Sequence, residues 1–360
     1  MERIEPHILN GPRAYFTDFD YRIVVRTRNR EKLYRNIVRK LKILLLTKNT
    51  IVCAASHLTS EFTYNFFRKN PSLLNKGLII PALRKDKSGI NELFEKNKCS
   101  VLSGLKQKII NFYQNEISKV VDWEFEENSS WFRNSFLKEL KNENSVLRKN
   151  LSNLTKEQLE FIIKEIEKEP FLDRAKIDFI ASKLKPNERR VIINFRELIY
   201  HISGARAVNC ESVLPQENYI DFSIADIKNR QIILSELHIF WKIFLELVFE
   251  TIYNKTSIPL ELLDLLSFED IYEIRQPIEK SSFRNVYDEL IKKSVASVNK
   301  NDPHRILYNI EELLSIKEKI SKEFELIFQK ELKILLRKKA IQNVQSLGRT
   351  ALSIGLGFLQ

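Results

Sequence analysis

Two aspartates stand one residue apart in Tyr15-Phe16-Thr17-Asp18-Phe19-Asp20, and a histidine and a glutamate follow at His57 and Glu61 in TIVCAASHLTSEF. Carboxylate oxygens of this kind are hard ligands that suit magnesium or manganese, and paired ions activate water and stabilise a leaving oxygen. His57, beside Ser56 at an expected strand end and four residues before Glu61, has the place of a general acid or base. Asp18, Asp20, His57 and Glu61 are thus the candidate catalytic residues. Asp18, Asp20 and Glu61 are the candidate metal ligands, with magnesium or manganese expected only if the three act together. In the alternative reading the aspartates flank a strand on its wet face, and Glu61 merely complements a helix dipole.

A basic tract follows the aspartates. Residues 1–100 carry 20 Lys and Arg against 9 Asp and Glu, so nearly all of the net charge of +12 is N-terminal. Within 22–48 the basic residues are Arg22, Arg26, Arg28, Arg30, Lys32, Arg35, Arg39, Lys40, Lys42 and Lys48, opposed only by Glu31. Such a surface neutralises phosphates, of a nucleic acid or of an anionic membrane, with strong salt dependence. Arg22, Arg26, Arg28, Arg30, Arg35, Arg39, Lys40 and Lys42 are the candidate polyanion-binding residues. A solvated, solubilising helix face is the alternative.

Asp18-Phe19-Asp20 resembles the DxD nucleophile motif of haloacid-dehalogenase-like phosphatases, which implies a strand-end carboxylate attacking phosphorus beside magnesium. The resemblance covers FTDFD alone, and Tyr21-Arg22 stands where that family turns the chain with Gly-Thr. The order of Asp18 or Asp20 and then Glu61 is similar to that in PIN-like nucleases, which implies metal-dependent phosphodiester hydrolysis. Further acids for that chemistry would come from Glu211, Glu217 and Asp221.

The elements that must position these groups are an α+β set, predominantly helical. The apolar runs RIVV (22–25), TIVCAAS (50–56) and GLIIPAL (77–83) read as strands separated by helices, a small basic α/β unit over 1–100. Leu33, Ile37, Leu41 and Leu44 recur at helical spacing between the first two, and Thr59 is placed to cap a helix carrying Phe62, Phe66 and Phe67. Residues 101–228 form a second, mostly helical unit, with a capping box at Thr155-Lys156-Glu157-Gln158. Its part 190–222 reads as a helix or strand pair that returns to the N-terminal sheet. The loop 204–222 carries Arg206, Glu211, Gln216 and Asn218, for a ligand or for locking two units together.

The third unit, 229–360, is expected to be a helical bundle. Residues 229–253 are apolar almost all round, and a long helix starts at Asp302-Pro303 and runs over 303–347 at heptad-like spacing. That helix packs on its own chain, or on a protein partner or second copy. The tail 350–359 docks on a partner, touches a membrane surface or caps the bundle.

No apolar run is long enough to cross a bilayer, and the first residues lack the apolar core of a secretory signal. Cys53, Cys99 and Cys210 have no metal or disulfide spacing, so the expected setting is the reducing cytoplasm. His7, His57, His201, His238 and His304 stand without zinc-type pairing. No nucleotide-binding glycine loop or serine-hydrolase elbow is present. The leading expectation is a binder of nucleic acid or another polyanion. A PIN-like metal-dependent nuclease and a non-enzymatic interaction or regulatory scaffold are the alternatives.

Overall fold

The computed structural model describes residues 1–11, 13–20, 29–95, 103–143, 145–213, 263–280, 334 and 336–343. The expected strand 22–25, the helix 229–253, the loop residues Gln216 and Asn218, the tail 350–359 and all but a few residues of the helix 303–347 lie outside them.

Six strands form one parallel sheet: β1 (Glu2–Ile4), β2 (Arg13–Phe16), β3 (Thr50–Ala54), β4 (Ile79–Arg84), β5 (Lys119–Trp123) and β6 (Glu211–Val213), in the spatial order β1-β5-β4-β3-β2-β6. Parallel strands need crossovers, and the helices supply them. These are α1 (Arg30–Thr47), α2 (Glu61–Lys69), α3 (Ser103–Glu116), α4 (Phe125–Lys141), α5 (Lys156–Glu167), α6 (Arg174–Ser182), α7 (Pro186–Ala207) and α8 (Phe268–Lys280), with one-turn helices between some of them. The fold is mixed α/β and mainly helical.

Alternation along the strands sends side chains to two cores. Ala14, Phe16, Ile51, Cys53, Ile79, Leu83 and Val120 face the layer of α1, α2, α3 and α8. Tyr15, Val52, Ala54, Ile80, Ala82 and Val121 face Ala205 and Val208 at the end of α7. Burial on both faces explains why β3 reads as an unbroken apolar run. A third core holds α4, α5, α6 and α7 together around Phe136, Ile162, Ile177 and Phe195.

Several elements differ from the expected ones for identifiable reasons. β1, β2 and β5 are three to five residues long, too short to show a period amid charged neighbours. β5 and β6 draw residues beyond 100 into the sheet, with Glu211–Val213 beside Ala14–Phe16. Most of 190–222 that is described is α7, a helix of 22 residues. The cap of α2 is Ser60, whose hydroxyl accepts from the Thr63 amide, while Thr59 closes the preceding 3-10 turn by donating to the Ser56 carbonyl. The capping box at Thr155 and Gln158 forms on both sides. Among the described residues no helix is long and apolar enough to cross a membrane.

Candidate active site

Phe19 decides where the two aspartates go. It is fully buried, 5.1 Å from Phe16, 5.0 Å from Phe66 and 5.2 Å from Phe67 between ring centroids, and the chain turns there with the Asp20 amide donating to the Thr17 carbonyl. The aromatic anchor between them gives Asp18 and Asp20 different partners, and neither lies on a wet strand face: they are 5% and 3% exposed. Asp18 meets Lys40 of α1 at 3.3 Å. Burial raises its carboxyl to about 6, against the pull of Lys40.

Asp20 sits beyond the carboxyl end of β2, and His57 beyond the carboxyl end of the adjacent β3, in the region where open α/β sheets bind ligands. His57 Nε2 is 3.6 Å from Asp20 Oδ2. Arg174, the first residue of α6, reaches the same oxygen at 2.9 Å, and His201 Nε2 of α7 stands 4.0 Å from it. Arg174 also pairs with Glu197 of α7, which pairs in turn with Arg196, and Arg196 binds Asp178. Burial alone would raise the Asp20 carboxyl, but His57 and Arg174 outweigh it and hold Asp20 well below the usual carboxylate range. Arg174 and Arg196 likewise hold Glu197 down against its burial. Burial depresses His201 to about 4, so its imidazole is neutral near pH 7.

Asp20, His57 and Arg174 of this cluster line a cleft of about 400 Å³, together with Ser56, Trp123, Phe125, Asn128, Tyr200 and Ser203. Arg174 lies 3.9 Å over the Tyr200 ring. Neither ring nitrogen of His57 or His201 makes a hydrogen bond. Asp20, Glu197 and His201 offer ligand atoms within 4.8 Å of one another. The two guanidinium groups already neutralise these carboxylates, however, so a divalent ion would have to displace Arg174 from Asp20 and both arginines from Glu197.

The other residues singled out in the sequence go elsewhere. Glu61 is exposed at the start of α2 and borders a separate groove with Arg30, Tyr34 and Lys69. Among the described residues it shares no group of ligand atoms with Asp18 or Asp20. Along α1, Arg30, Lys32 and Arg35 are exposed. Arg39 pairs with Asp264 at 2.8 Å, and Lys40 with Asp18. Lys42 is buried and donates to the carbonyls of Leu263 and Leu266, so the helix does not present all its cations to solvent. Arg22, Arg26 and Arg28 lie outside the described residues. Arg206 pairs with Glu127 at 3.1 Å.

Arg174, Glu197 and His201 were not candidates in the sequence. The available signal was Glu197 and His201 at i,i+4 on one helix, a spacing that puts both on one face. No family model, curated protein or solved structure matches the chain.

Proposed function

We propose that the cleft is the active site of an enzyme that does acid–base chemistry on a small polar substrate, with His57 as the base and Asp20 as the group that orients it. The observation that carries this is the Asp20–His57 pair, 3.6 Å apart at the carboxyl ends of adjacent parallel strands and lining a 400 Å³ cleft. Asp20 faces Nε2 and favours the tautomer with its proton there, which leaves the lone pair that a base needs on Nδ1, buried and without a hydrogen bond. Arg174 fixes Asp20, and Arg196 with Asp178 fixes Glu197, so the carboxylates hold one arrangement. His201, neutral and close to the same oxygen, backs Asp20 without adding a second buried cation.

A general base contributes about 100-fold to 10,000-fold to a rate. Hydrolysis of small chromogenic esters and phosphate esters by the purified protein tests the assignment. His57→Gln and Asp20→Asn are each expected to lose at least about 100-fold in kcat with melting temperatures kept in view. Turnover that survives both changes would place the chemistry elsewhere.

A second reading, polyanion binding through α1, has the charge asymmetry in its favour: 20 basic against 9 acidic residues in the first hundred, with Arg30, Lys32 and Arg35 exposed. Binding of a single-stranded oligonucleotide that weakens steeply with salt, and weakens further in Arg30→Glu/Arg35→Glu, is its expected result. Affinity indifferent to salt would count against it.

A further inference from the structure

Three hollows open side by side along the carboxyl ends of the sheet, and Trp123 and Asn128 border all three. The first is the 400 Å³ cleft of His57 and Arg174. The second, 80 Å³, reaches Ala54 and Ala82 on the sheet beside Gly204 of α7. The third, 310 Å³, opens toward Pro6 and Lys85. Where they join, the Asn128 Oδ1 is buried and accepts no hydrogen bond. A buried acceptor without a donor is costly, and a ligand N–H removes the cost.

We propose that this junction binds a planar heterocycle with an N–H donor on its edge, of the nucleobase class, seated against Trp123 and read by Asn128. An aliphatic chain would leave the Asn128 oxygen unsatisfied. Among the described residues the acidic side chains bordering it already have cationic partners. Glu5 and Glu124 are paired with Lys85, Asp122 with Arg3 and Glu127 with Arg206. A flat neutral ring satisfies both features, since aromatic faces stack and an asparagine amide matches a donor beside an acceptor on a base edge. The substituent of such a ring would extend into the larger cleft toward His57. The inference rests on the cleft being the substrate site, but binding of the ring does not require His57 to act as a base.

Calorimetry with adenosine, guanosine, cytidine and uridine, and with a single-stranded hexamer of each, tests it on the full chain. At least one nucleoside or hexamer is expected to saturate a single site below about 1 mM. Binding by a nucleoside alone marks a free small molecule as the source, and binding by a hexamer alone marks a nucleic acid. The analogue of the bound base with its exocyclic amine dimethylated, or its ring N–H methylated, is expected to bind at least about tenfold more weakly to the wild type. Asn128→Leu abolishes that discrimination, and Trp123→Leu weakens every probe. Saturation in calorimetry needs no turnover, so ring binding by a protein that hydrolyses no ester keeps this proposal and strikes only the catalytic assignment. Failure of every probe to saturate by about 10 mM, or equal affinity for the methylated analogue, overturns the proposal.

Discussion

Arg174 meets two carboxylates at once, Asp20 and Glu197, and is itself 15% exposed at the side chain. Truncating one partner of a buried ion pair leaves the other charge uncompensated, at a cost of about 3–5 kcal/mol. Arg174→Ala is therefore expected to lower stability by about that amount in urea unfolding, and Arg174→Lys to recover only part, because an ammonium lacks the planar fork. A loss under about 1 kcal/mol would mean that water already solvates the pair. Glu139 of α4 poses the opposite case: 6% exposed, its carboxyl is raised by burial to about 7, with only Lys138 pulling it down. An acid whose folded pKa lies above its unfolded one binds the proton better when folded. Its burden is absent below about pH 4.5, grows as pH rises and is complete above about pH 7. Glu139→Gln removes the burden, so the variant should match the wild type near pH 4 and exceed it by on the order of 3 kcal/mol at pH 8. Parallel stability curves for the two proteins would refute that. At this scale two of the five residues of the candidate cluster stood out in the sequence: Asp20 and His57 are a carboxylate and an imidazole close to strand ends. Arg174, Glu197 and His201 did not, because only tertiary packing brings α6 and α7 to the end of β2.

At the scale of elements, one glycine lets α7 lie on the sheet. A Cβ built on Gly204 would fall 2.6 Å from the Tyr15 hydroxyl and 2.8 Å from the ring carbon that bears it. Tyr15 is 4% exposed and wedged between β2 and α7, so the ring has little room to give. In an open helix Gly→Ala would stabilise by up to about 1 kcal/mol. Here the sign reverses: Gly204→Ala is expected to cost about 1–3 kcal/mol in thermal or urea unfolding, and Gly204→Ala/Tyr15→Phe, which removes the nearest oxygen, to recover part of it. A stabilised single variant would show that α7 floats on the sheet. The Ser203-Gly204 pair reads in the sequence as a loop, because glycine and serine punctuate chains and because the partner ring lies almost two hundred residues earlier. The helix continues through it since the contact needs a residue without a side chain. β3 and β4 were legible for the converse reason: burial on both faces leaves a run of apolar residues that no tertiary knowledge is needed to see. β1 and β5 pair edge to edge over three residues and carry Glu2, Arg3, Lys119 and Asp122. Their strand character comes from neighbours.

Across the whole molecule, the basic helix joins distant parts of the chain. Lys42 donates 2.6 Å to the Leu263 carbonyl and also binds that of Leu266, while Arg39 takes Asp264, so cations from the N-terminal third clamp a segment more than two hundred residues away. Arg275 of α8 returns the contact by donating to the Asn49 carbonyl, and Lys339 pairs with Asp270 and Glu273 of α8. Among the described residues of a charge run that reads as a polyanion surface, Arg39, Lys40 and Lys42 are thus internal joinery, a use that charge counting along a sequence cannot separate from solvent exposure. The third core, of α4 to α7, has no part in this clamp. Lys42→Met keeps much of the apolar stem but removes the ammonium donor from the Leu266 carbonyl and leaves that of Leu263 with the Leu266 amide alone, at a cost of about 1–3 kcal/mol for an unsatisfied buried group. Local opening follows contact loss, so amide hydrogen exchange in Lys42→Met should accelerate across 263–280 and 336–343 while 156–207 keeps its wild-type protection. Uniform acceleration over both regions would mean that sheet and helical layer open as one unit and that the clamp supports the entire fold. Protection unchanged everywhere would mean that packing of Phe268, Ile271 and Ile274 on α1 and α2 suffices without it.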